Sequence, residues 1–186
     1  MITEIYSEVH LPATGGTLRK SLLAENGFVS ITPDHLNYRG VSKISKVEPV
    51  AFRRSPFALV ASWFFKCRDR MENLNDRKFP PDISFESFVI GYLPNLRKGV
   101  VRELESYNWY LDGMPKKDIF TFEEFPEIFT LRTGIEVGAR VENKGSYPDL
   151  NSLYTEAMVT VVLDRFDSEL KKYGDHWGIP ELIEST

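Results

Sequence analysis

At 186 residues the chain is long enough for one domain with a developed core, and 42% hydrophobic and 13% aromatic content exclude disorder over most of it. A net charge of −4 argues against a general binder of polyanions. The single cysteine, Cys67, excludes an intrachain disulfide and any zinc or iron–sulfur site built on thiolates.

The N-terminus has no basic stretch followed by a long apolar run, so no secretory signal is expected and the chain reads as a cytoplasmic protein with no membrane span. Residues 2–11 alternate loosely and predict a first strand. Leu11-Pro12-Ala13-Thr14-Gly15 spells the cell-wall sorting pentapeptide, but that signal works near a C-terminus, ahead of an apolar segment and a basic tail. Here Pro12 closes the strand, Gly15-Gly16 supplies a turn, and Thr17 caps a short helix running to Asn26-Gly27. Gly15-Gly16-Thr17, with Arg19 and Lys20 behind, also fits an anion cradle of backbone N–H groups, without the spacing of a P-loop.

Residues 28–31 predict a second strand. Residues 46–53 are strand-like, and Pro49 argues for an edge position because it cannot donate to a ladder. Ser55-Pro56 is a helix-start signal, and the almost unbroken apolar run 57–65 behind it predicts a helix buried on most sides. Cys67 on that helix reads as a buried, inert thiol.

Ser84 caps a helix with Phe85, Phe88, Val89, Tyr92 and Leu93 on one stripe, ended or kinked by Pro94. A second stripe runs from Leu96 to Leu111, with Gly113 as its C-terminal cap; Trp109 and Tyr110 lie off it, placed to face a second layer. Residues 118–132 fit neither period. Ile135, Val137, Ala139 and Val141 alternate strictly and predict a strand. Residues 150–173 predict one long amphipathic helix, capped by Asp149 and stopped by Gly174. These elements predict a helix-dominated α+β fold: a single globular domain over 1–174 with a small antiparallel sheet, then an apolar and acidic tail, 175–186.

No cofactor is expected. His10, His35 and His176 have no metal-ligand spacing, and no nucleophile elbow or dinucleotide fingerprint is present. Asp118 begins one strand-like segment, and Glu142-Asn143-Lys144 ends the next. That order resembles the PD-(D/E)xK nuclease core, which implies a divalent metal held by Asp118 and Glu142 with Lys144 positioning the attacking water.

Charge is unevenly placed. Ten basic and four acidic residues fall between 39 and 78, whereas residues 111–186 carry eight and fifteen. Arg53, Arg54, Lys66, Arg68 and Arg70 flank the apolar helix, with Arg39, Lys43 and Lys46 nearby. This predicts either core aromatics with snorkelling cations on a solvated basic face or, if Trp63 or Phe65 is exposed beside the cations to stack, a nucleic-acid contact. In the tail, Trp177, Ile179, Leu182 and Ile183 form an aromatic–aliphatic cluster of the kind that marks interfaces.

The expectation drawn from these features is a non-enzymatic protein that binds a protein partner, as subunit, adaptor, inhibitor or immunity-type antagonist. The alternative is a nucleic-acid-handling protein, either a binder through 39–78 or a metal-dependent nuclease.

Overall fold

The computed structural model describes residues 5–11, 14, 16–28, 36–69, 80, 82–96, 104, 107–138 and 147–173, with backbone alone at 67–69. The chain forms two compact units. Met1–Arg54 and Ser106–Lys144 make the first, and Ser55–Glu105 and Gly145–Thr186 the second.

The first unit is built on three short strands, β1 (Glu8–Val9), β2 (Val50–Arg53) and β3 (Ile119–Thr121), in the order β1-β2-β3. Glu8 and Val9 pair with Val50 and Ala51; Ala51, Phe52 and Arg53 pair with Ile119, Phe120 and Thr121. Both pairings are parallel, which overturns the antiparallel sheet predicted from sequence. The reason is the connection. Helices α1 (Gly16–Glu25) and α2 (Tyr38–Ile44) lie between β1 and β2, and a strand that returns through helices arrives in the same direction, whereas antiparallel neighbours are normally joined by a tight turn.

A second correction concerns β2. Pro49 suggests an edge, but β2 is the central strand; the proline stands just before its first residue and withholds no ladder bond within it. Val50, Ala51 and Phe52 are all buried, the near-continuous apolar run expected of a strand covered on both faces.

Tyr6, Leu22, Leu23, Phe52, Phe125 and Phe129 form the centre of this unit's core. Thr121 and Glu124 form a capping box ahead of a helix from Phe125 to Thr133, which Gly134 ends at φ 73°. The short helix α5 (Tyr107–Leu111) also belongs to this unit. Residues 135–138, the first half of the strand expected at 135–141, are loop and turn; the other half, and most of the strand expected at 28–31, lie outside the described residues.

In the second unit, the expected apolar helix is α3 (Pro56–Asp69). Phe57, Leu59, Val60, Ala61, Trp63, Phe64 and Phe65 are all buried. Phe64 packs edge-on to Phe85 at 5.2 Å, and Trp63 stacks on Phe88 at 5.3 Å.

The helix predicted at 84–93 starts as expected, as α4 (Phe85–Ser87), with Ser84 Oγ accepting from the Ser87 N–H. It then widens into a π-helix over Phe88–Tyr92 and tightens to a 3-10 turn over Leu93–Asn95. Pro94 explains the change of winding. It has no N–H to give Ile90 O and its ring crowds that carbonyl; around it the Leu93 N–H bonds to Phe88 O, and Asn95 Nδ2 donates to Gly91 O at 3.2 Å.

The single helix expected at 150–173 is three: Leu150–Leu153, Glu156–Arg165 and Asp167–Tyr173. Asp149 caps the first, as predicted, accepting from the Asn151 N–H at 2.9 Å. The break comes from Thr155, whose hydroxyl accepts from the Met158 N–H and starts a new helix. Tyr154, left between them, is buried and donates its hydroxyl proton to Phe57 O at 2.8 Å. No helix among the described residues is long and apolar enough to cross a membrane.

Candidate functional site

Parallel pairing sends the carboxyl ends of all three strands to one edge of the sheet, and Arg53 closes the central one. Arg53 and Arg54 are half-buried, and the Arg54 guanidinium lies over the Phe122 ring, 5.5 Å from its centroid. Tyr107 donates its hydroxyl proton to Arg54 O at 3.4 Å. Lys66 is exposed on α3, in the second unit; the side chain of Arg68 and the whole of Arg70 lie outside the described residues. Trp63 is 4% exposed and Phe65 6%, so both are core residues and provide no stacking platform.

Asp118 is buried in the 3-10 turn just before β3, with Oδ1 3.6 Å from Arg132 Nη2. Glu142 and Lys144 lie outside the described residues, as do Trp177, Ile179, Leu182 and Ile183 of the tail. Among the described residues, no three His, Cys, Asp or Glu side chains are grouped so as to hold a metal ion.

The anion cradle expected at the start of α1 is occupied from within. The His10 imidazole covers Gly16, leaving no room there for even a Cβ. Arg19, 2% exposed, turns into the core, where it forms an ion pair with Glu8 and donates to Thr14 O. Its guanidinium lies between the rings of Phe52 and Phe125, 5.3 and 5.2 Å from their centroids. Tyr6 completes the cluster by donating to Glu8 Oε2 at 2.8 Å. Burial, and then the adjacent Glu8 carboxylate, push the Tyr6 phenol well above its usual pKa. This is a closed polar cluster tying β1 to α1, with its charges paired inside the fold.

A different part of the first unit faces solvent with apolar surface. In α5, Tyr107, Tyr110 and Leu111 are buried, so the helix is anchored on that side. Trp109 points the other way and is 53% exposed, with its ring edge-on to Tyr110 at 4.8 Å. Beyond it, Asp112 Oδ2 meets Arg39 Nη2 on α2 at 2.9 Å. Gly113, at φ 83°, turns the chain so closely against α2 that an added Cβ would sit 3.8 Å from Arg39 Nε. Lys117 and Glu48 make a second, looser tie at 3.9 Å.

Comparison with protein-family models, curated proteins and solved structures finds no match to this chain. The reading of the site therefore rests on its own chemistry. Sequence reasoning placed Trp109 and Tyr110 together off the apolar stripe, facing a second layer, and so missed that Trp109 is exposed. Tyr110 is buried, and Trp109 is half exposed. Arg39, Lys43 and Lys46 belong to the basic segment already noted in the sequence. Their neighbours Asp112, Lys116 and Lys117 come from far along the chain, and no local pattern links the two sets.

Proposed function

We propose that this chain acts by binding a protein partner through the face carried by α2 and α5. The observation that carries the reading is Trp109: a large aromatic side chain held outward by a helix whose other aromatic residues are locked in the core. A preorganised tryptophan costs little entropy to bury, and such residues commonly dominate interface energetics. The tail cluster Trp177, Ile179, Leu182 and Ile183 is proposed as a second contact for the same partner.

The test is affinity purification of the tagged full chain from its source cells with nuclease present, comparing wild type with Trp109→Ala. The expected outcome is a stoichiometric protein retained by wild type and weakened by Trp109→Ala by about 2 kcal/mol or more, roughly thirtyfold. Equal retention by both would overturn the reading.

A second reading, nucleic-acid handling, is favoured by Arg53 and Arg54 at the end of the central strand, with Arg54 over an aromatic ring. It requires affinity that falls steeply with salt and drops when both arginines become alanine. Its nuclease form further requires a divalent ion and loss of activity in Glu142→Ala.

A further inference from the structure

The face around Trp109 is basic within an acidic molecule. Residues 38–48 and 107–117 carry Arg39, Lys43, Lys46, Lys116 and Lys117 against only Glu48 and Asp112, while the whole chain has net charge −4. All seven are exposed. The ties Arg39–Asp112 and Lys117–Glu48 hold the two segments side by side, so these charges share one surface rather than merely one stretch of sequence.

Arg39 and Lys43 are four residues apart on α2 and lie on one side of it, opposite the buried Val41. Trp109 stands three residues from Asp112, which reaches Arg39. The segment that carries Trp109 thus meets α2 at the Asp112–Arg39 pair, with Lys43 one turn further along α2. Taken together, the two segments carry five cations and two carboxylates, an excess of three positive charges in sequence.

We infer that the partner presents an acidic segment to this face, with an apolar side chain seated on Trp109 and carboxylates beside Arg39 and Lys43. Charge complementarity of this kind steers encounter and fixes register. A single strand of nucleic acid fits less well. It is usually followed by a continuous basic groove with several stacking rings, whereas here a carboxylate stands at each tie and, among the described residues, one tryptophan is exposed. The inference rests on the protein-binding reading above.

The experiment uses the full chain carrying p-benzoylphenylalanine in place of Ser42, exposed on α2 beside Lys43, photo-crosslinked in source-cell lysate, with the captured peptide sequenced by mass spectrometry. Lys43→Glu and Lys43→Arg are run in the same background. The expected result is a protein adduct whose captured segment has more acidic than basic residues. Lys43→Glu lowers its yield roughly tenfold and Lys43→Arg preserves it. A neutral or basic segment, or a yield indifferent to Lys43→Glu, overturns the acidic inference and leaves protein binding standing. No protein adduct, or nucleic acid alone, overturns both.

Discussion

Arg39 and Asp112 join α2 to the turn after α5 through one ion pair, Nη2 to Oδ2 at 2.9 Å, with both side chains more than half exposed. An exposed pair contributes little to stability, about 0–1 kcal/mol, because water screens it and two side chains must be held still. Its weight falls on the binding face. Asp112→Asn is expected to change the unfolding free energy by less than about 1 kcal/mol and to tighten an acidic partner severalfold, since it removes a carboxylate from the face. Urea unfolding and a binding titration with the captured partner check the two halves separately. Weaker binding would contradict the proposed polarity of the face.

The Glu8–Arg19 pair is the opposite case. Both groups are buried, so removing one leaves the other charged and unsolvated. Glu8→Gln is expected to cost about 3–5 kcal/mol, whereas a double replacement, Glu8→Leu with Arg19→Met, is expected to recover most of that loss. A double-mutant cycle on denaturation curves measures the coupling. A cost below about 1 kcal/mol would mean that the pair is solvated in solution.

Tyr6 makes the first unit sensitive to alkali. Its phenol keeps its proton to a higher pH in the folded chain than in the unfolded one, because burial and Glu8 both oppose the phenolate. The unfolded chain therefore loses that proton first. Stability from this group is whole below about pH 10, the unfolded tyrosine value, and declines as pH rises through the folded one. Tyr6→Phe is expected to flatten the fall in unfolding free energy above about pH 10; an unchanged slope would count against it.

Tyr154 ties α3 to the start of the last helices, and its phenol is likewise raised, mainly by burial. Tyr154→Phe keeps the ring against Phe57 at 5.3 Å and Phe85 at 5.2 Å and loses only the hydroxyl. Its expected cost is about 1 kcal/mol, against about 3–5 kcal/mol for Tyr154→Ala, which also empties the ring's volume. Thermal unfolding of the two variants separates the hydrogen bond from the packing.

Local chemistry was enough to place several elements of this protein. Ser55-Pro56 ahead of an apolar run marks the start of α3, and Ser84 and Asp149 each satisfy a free helix N–H where the sequence puts them. Gly113 takes the positive φ that follows α5. These features depend on residues within a turn of one another, which is why they are legible in a linear string. Strand direction is not of that kind. Strands of two to four residues hold too few positions to show a period, and whether β1, β2 and β3 run parallel depends on helices placed between them, tens of residues away.

The binding face shows the same division. Composition supplied the basic residues and the tryptophans, and the apolar run around Trp63 already pointed to its burial, but only tertiary packing left Trp109 in water. The use of Arg19 was settled in the same way: its position after Gly-Gly-Thr suggests an anion site, and the buried Glu8 carboxylate takes it into the core instead. A side chain's type is written in the sequence. Its exposure and its partner are set by which distant segments fold against it, because burial and charge pairing act through space rather than along the chain.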